Sequence, residues 1–104
     1  MINNVTKSYY ESEIFRNPYH LKTWIKYIEV NSKSSPINKY IIFERALIFL
    51  PRSYKIWLLY IKDVQSSLKN KKITDKRFLG FKVLYERSLV HLNKMPKIWL
   101  TFLI

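Results

Sequence analysis

The chain has 104 residues, 48% of them hydrophobic and 16% aromatic, with one Gly, four Pro and no Cys. That is too apolar for a disordered segment, too poor in turn formers for short strands joined by many hairpins, and unable to form disulfides or thiolate metal sites. There are 19 Lys and Arg against 7 Asp and Glu, a net charge of +12, which attracts nucleic acid, acidic protein or anionic lipid without choosing among them, and which a Lys-, Ile- and Asn-rich composition also produces by itself.

Met1 to Lys7 is polar and has no apolar signal core. The first predicted helix runs from about Thr6 to Arg16, stopped by Asn17 and Pro18. Asn17 is placed to cap the second helix, about Tyr19 to Ser32, with Pro18 in its first turn. The polar run NSKSSP, residues 31–36, forms a loop ending in a cap signal before Pro36. A third helix, about Ile37 to Leu50, has apolar residues at 37, 40, 41, 47, 48 and 50 and ends at Pro51. Ser53 caps the fourth, about Tyr54 to Leu68. A polar, basic insertion, KNKKITDKRF, occupies residues 69–78. Asp75 or Thr74 caps the fifth helix, about Lys76 to Leu92. Gly80 inside it costs up to about 1 kcal/mol against Ala, which draws the expected start toward Phe81. A sixth helix opens at Pro96. The longest apolar runs, Ile56 to Ile61 and Ile98 to Leu103, fall far short of the roughly 20 residues a membrane helix needs.

The three tryptophans expose a repeat. Trp24, Trp57 and Trp99 are each followed at three residues by an aromatic: Tyr27, Tyr60 and Phe102. Thirteen residues before each Trp stands a glutamate: Glu11, Glu44 or Glu86. Each glutamate is preceded by an aromatic (Tyr10, Phe43, Tyr85) and followed at three residues by an aliphatic (Ile14, Leu47, Leu89). Offsets of three and four share a helix face. The Trp-to-Trp spacing is 33 residues and then 42, so nine are inserted in the second copy. Such periods belong to helix-pair solenoids, in which no pair encloses its own apolar surface and neighbouring pairs share a core. The expected architecture is all-α: an α-solenoid of antiparallel helix pairs, about five helices plus a truncated sixth. Its successive repeat units are about 6–36, 37–75 and 76–104. Within it, Glu44 and Glu86 are expected to be partly buried, accepting hydrogen bonds from Trp N–H, Tyr O–H or an Arg on the adjoining helix.

FERAL followed by Pro, with W-x-x-Y on the preceding helix, resembles the half-a-TPR (HAT) repeat found in RNA-processing scaffolds. The blocks YESEIFRNPYHLKTWIKYIE, FERALIFLPRSYKIWLLYIK and YERSLVHLNKMPKIWLTFL resemble the amino-terminal repeats of the Syf family of pre-mRNA splicing factors. Its animal member is also called the xeroderma-pigmentosum-A-binding protein. The resemblance covers nearly all of residues 9–103. It implies a nuclear scaffold of the NineTeen complex, working with other spliceosomal proteins around spliceosome activation, with no chemistry of its own. Members of that family are long arcs of repeats. A chain that stops inside the helix of Trp99 therefore reads as a fragment, and an uncovered Trp99 and Phe102 are expected to favour association.

The functional alternatives have less behind them. At helical spacing the tryptophans read as core rather than as base-stacking platforms. The glutamates recur at one repeat position, as structural residues do. His20 and His91 have no metal-ligand spacing around them, and one glycine cannot make a phosphate loop. No cofactor, metal, small-molecule substrate or membrane is expected, and no enzyme motif is present. Lys69, Lys71, Lys72, Lys76 and Arg77 form the candidate partner contact, against the plainer reading of a solvated linker. Direct RNA binding through the basic surface is the alternative function.

Overall fold

The computed structural model describes residues 4–69 and 76–92. The sixth helix with Trp99 and Phe102, the caps Thr74 and Asp75, and Lys71 and Lys72 lie outside the described residues. Among the described residues five helices follow one another: α1 (Asn4–Arg16), α2 (Leu21–Val30), α3 (Pro36–Phe49), α4 (Tyr54–Ser67) and α5 (Lys76–Leu92). Among the described residues there is no strand. The all-α helical-repeat class is the one the residue spacing calls for.

The chain divides into two compact units, Met1–Pro51 with α1 to α3 and Arg52–Ile104 with α4 and α5. In the first, Tyr10, midway along α1, stacks on Tyr27 near the end of α2, with centroids 5.4 Å apart. Trp24 near the start of α2 meets Arg45 and Phe49 near the end of α3. That contact makes α2 and α3 antiparallel, and the short connection of residues 17–20 makes α1 and α2 antiparallel neighbours. In the second unit Trp57, early in α4, meets Arg87 and His91, late in α5, so that pair is antiparallel too.

The helix ends follow from local chemistry, with two departures from expectation. Pro36 occupies the first turn of α3 behind Ser35, where its missing N–H costs nothing. Ser53 Oγ accepts the backbone N–H of Ile56 at 3.3 Å and starts α4. Asn17, expected to cap α2, instead accepts the N–H of Tyr19 at 3.1 Å within the turn. Pro18 thus lies before the helix and not in it. α2 starts later, at Leu21, behind an extended His20 whose Nδ1 lies 2.8 Å from Thr23 Oγ1. α5 runs straight through Gly80 from Lys76, because Leu84, Tyr85, Ser88 and Leu92 bury one side of it and outweigh the glycine's cost.

The second copy differs from the first in helix length as well as in the stretch between its helices. α2 and α4 both begin three residues before their Trp, but α4 continues about one turn further, to Ser67. α5 also begins earlier relative to its glutamate than α3 does. Small residues occupy equivalent buried positions: Ala46 of α3 and Ser88 of α5 stand two positions after their glutamates, and both are completely buried. A small side chain at such a position lets two helices approach closely.

Candidate functional site

The site of greatest chemical interest in the first unit joins all three of its helices. Glu11 of α1 accepts two hydrogen bonds from Arg45 of α3, Nη1 to Oε2 and Nη2 to Oε1, both 2.7 Å. The Tyr27 hydroxyl of α2 donates to the same Oε2 at 2.7 Å. The paired fork of a guanidinium on a carboxylate is the strong form of this contact, and the phenol adds a third charge-assisted bond. The hydrogen bonds from Arg45 hold the Glu11 carboxyl below its usual range, against the opposing effect of burial, with the Tyr27 bond and the Arg45 and Lys7 charges helping. The same contact with Glu11 pushes Arg45 up. Burial, and then the bond to Glu11, push the Tyr27 hydroxyl up. The carboxylate is thus held in its ionised form and tied to both neighbouring helices, as a structural fastening requires.

Arg45 has a second neighbour. Its guanidinium carbon lies 5.5 Å from the centre of the Trp24 ring, a cation–π distance. Phe49, one turn on, stacks on the same indole at 6.3 Å with planes 24° apart. The indole N–H donates to the Pro18 carbonyl at 2.7 Å, so the buried ring has its polar atom satisfied. The second unit repeats the arrangement. Arg87 lies 5.5 Å over Trp57, and His91, again four residues later, stacks on it at 5.9 Å and 20°. Trp24 and Trp57 are 0% and 1% exposed, so neither ring offers a face for base stacking.

The other repeat positions distribute as follows. Ile14, Tyr27, Phe43, Leu47, Tyr60 and Tyr85 are buried. Tyr10, Glu11, Glu44 and Leu89 are half-buried. Glu86, expected to be partly buried, is exposed, because it lies on the side of α5 away from the buried Leu84, Tyr85 and Ser88. Of the basic candidates within the described residues, Lys69, Lys76 and Arg77 are exposed. Lys69 and Lys62 border an open cleft of about 660 Å³ floored by Leu68, Phe78 and Phe81, at the end of α4 that the insertion lengthens. A smaller cleft of about 330 Å³ opens beside the Glu11–Arg45 pair, lined by Lys7, Asn31, Ser34 and Asn38 and by Ile41 and Ile42. Among the described residues no cluster of side chains is placed to hold a metal ion.

The residue spacing alone assigns no role to Arg45, Arg87 or Phe49, and gives no sign that His91 stacks on Trp57. The signal was present in the shared Glu-Arg dipeptide of FERAL and YERSL. The first block has Ser12 at that position, so a comparison of what all three copies share passes over the arginine.

Residues 6–104 match a family described as the Pre-mRNA-splicing factor Syf1/CNRKL1 N-terminal HAT repeat. The chain is similar to Pre-mRNA-splicing factor SYF1 of Homo sapiens, 38% identical over 69 residues, a stretch covering 66% of this chain and 8% of that protein. It is 40% identical over 69 residues to SYF1 of Dictyostelium discoideum, with the same coverage. It is 42% identical over 59 residues to Pre-mRNA-splicing factor cwf3 of Schizosaccharomyces pombe, covering 57% of this chain and 8% of that one. The matched stretch is thus a small part of each relative.

Proposed function

Because the chain belongs to the Syf1/CNRKL1 N-terminal HAT-repeat family, we propose that it is a non-catalytic scaffold module for protein–protein assembly in pre-mRNA splicing. It acts in the nucleus, within the NineTeen complex as the spliceosome is activated, and its partners are other spliceosomal proteins. The repeat positions from Tyr10 to Phe102 serve packing within a single repeat module. The observation that carries this reading is how the most distinctive side chains are used. Both described tryptophans and their arginines are consumed in joining helix to helix, and Glu11 is consumed in joining α1 to α2 and α3. Side chains used in this way build a packed framework and its surface.

Direct RNA binding is the second reading, favoured by the net charge of +12 and by the exposed Lys69, Lys76 and Arg77. The two separate in one experiment. The tagged chain is incubated in nuclear extract, recovered with and without ribonuclease treatment, and washed across a salt series. The scaffold reading expects spliceosomal proteins to stay bound after ribonuclease and to tolerate salt. Their loss with ribonuclease, together with a steep salt dependence, supports the RNA reading, since phosphate contacts weaken sharply with salt. Recovery of no spliceosomal protein under any condition overturns the scaffold reading.

A further inference from the structure

The second unit holds an open cleft of about 660 Å³ between the end of α4 and the start of α5. Its floor is the buried Leu68 with Phe78 and Phe81, which are half-buried and so present part of each ring to the cleft. Phe81 is backed by the buried Tyr85, with ring centroids 6.1 Å apart. An offset of three residues sets the two phenylalanines side by side on one face of α5. Lys62, Gln65 and Lys69 form the rim, and all three are exposed. The two lysines stand about two helical turns apart on one face, one at each end of that rim. Within the described residues neither is held in an ion pair. Asp63 and Glu86, the acidic residues in the described part of this unit, do not line the cleft.

The cleft belongs to what is different about the second copy of the repeat. α2 ends six residues after Trp24, whereas Gln65, Leu68 and Lys69 lie eight, eleven and twelve after Trp57. Five after the tryptophan, the first copy has Glu29 where the second has Lys62. Eight and five before the glutamate, the first copy has Pro36 and Lys39 in place of the two phenylalanines. None of these side chains occupies a position that the repeat pattern uses, and insertions in repeat proteins often carry the binding face. We propose that this cleft binds a short unpaired stretch of RNA, its bases stacking on Phe78 and Phe81 and its phosphates meeting Lys62 and Lys69. Neighbouring aromatic rings between cations are how proteins hold successive bases together with their backbone. Gln65 offers a base edge both a donor and an acceptor. Bases in a duplex are already stacked on one another, so the strand must be single. Such binding rests on the second functional reading, direct RNA contact, and is compatible with the scaffold role.

The test is fluorescence anisotropy of a labelled oligouridine of about twelve nucleotides, titrated with the whole chain across a salt series. One variant combines Lys62→Glu with Lys69→Glu. A second makes the same charge change on α2 of the first unit, Lys22→Glu with Lys26→Glu. All four lysines are exposed, which keeps folding out of this comparison. A third, Phe78→Leu with Phe81→Leu, keeps an apolar floor and removes the rings; unchanged helix content by circular dichroism is its control. The cleft-lysine variant is expected to lose at least about tenfold in affinity, and the α2 variant less than about threefold. The ring variant is expected to lose at least about fivefold at every salt concentration, because stacking is not a phosphate contact. An abasic strand of the same length is expected to bind wild type and ring variant alike. Equal losses in the two lysine variants overturn the proposal, since binding is then spread over the charged surface. So does full affinity in the ring variant, or an equal loss there for the abasic strand. Competition by polyglutamate as effective as that by unlabelled oligouridine also overturns it, and points to an acidic protein partner instead. A wild-type chain that binds no oligouridine at low salt removes the RNA reading and the cleft together. Binding retained by every variant removes the cleft alone.

Discussion

Within residues 1–51 and within residues 52–104, a tryptophan early in one helix lies 5.5 Å beneath an arginine late in the next. The two arrangements are reached across different lengths of chain, since nine extra residues separate Trp57 from Arg87. The comparison shows where the repeat's specification resides. It is held in the helix-face positions of a few side chains. The length between them varies because a helical hairpin accepts a longer end without disturbing its base, and because closing a somewhat longer loop costs little. The units differ in what surrounds the shared pair. In the first, Phe49 covers the indole and is itself met edge-on by Tyr19 at 5.6 Å. In the second, an exposed histidine takes the Phe49 position. The first unit also has Glu11, which locks its arginine to a third helix.

Removing the shared element breaks both units. Trp24→Ala and Trp57→Ala each delete a fully buried indole, and each is expected to cost about 3–5 kcal/mol. That is a large share of the stability of a domain this size. Urea unfolding should show each variant largely unfolded or strongly destabilised. A loss under about 1 kcal/mol at either site would mean that the indole is not the centre of its pair.

Acid separates wild type from a Glu11 variant. The folded carboxyl of Glu11 titrates below its ordinary value of 4.5. The unfolded chain therefore takes up the proton first as pH falls. The contribution of Glu11 is fully present above pH 4.5 and is lost as pH drops through the lower folded value. Melting temperatures of wild type and Glu11→Gln should differ most at neutral pH and converge on acidification. A constant gap would show that Glu11 is not held ionised by its partners.

Exchanging the variable ring sharpens the comparison. Phe49→His gives the first unit the second's partner and is expected to cost about 1 kcal/mol. His91→Phe is expected to stabilise by about half that, since His91 is more exposed than Phe49. Calorimetry of the two variants would reveal opposite shifts in melting temperature. Shifts of the same sign would deny that the two positions are equivalent.

The smallest effect is expected at Gly80. An added Cβ there meets nothing within 4 Å. Gly80→Ala should stabilise α5 by up to about 1 kcal/mol, through helix propensity alone. A destabilised variant would mean that the glycine is required.

Much of this architecture is legible in the residues. Proline after α1, proline opening α3 and serine before α4 fix helix ends through rules that act within a few residues. The Trp and Glu spacings give the helix pairs. Other features were hidden for physical reasons. The start of α2 depends on whether Asn17 caps a helix or closes a turn, two uses of the same side chain. The passage of α5 through Gly80 depends on tertiary burial that local propensity does not contain. The arginine over each tryptophan was hidden because the first glutamate block, which supplies the carboxylate, has a serine where the others have arginine. The exposure of Glu86 shows that a repeated sequence position need not have a repeated environment.

Glu11, Tyr27 and Arg45 fasten three helices of the first unit together. Glu11 and Arg45 are 34 residues apart in the chain, so they interact only if α1, α2 and α3 pack as described. The most direct measurement is a double-mutant cycle in urea unfolding, with Glu11→Gln, Arg45→Met and the combination. Both side chains are about a third exposed, 34% and 38%, so solvent screening reduces what a closed pair would give. The expected coupling is about 1–2 kcal/mol. Strictly additive losses, with coupling indistinguishable from zero, would contradict it.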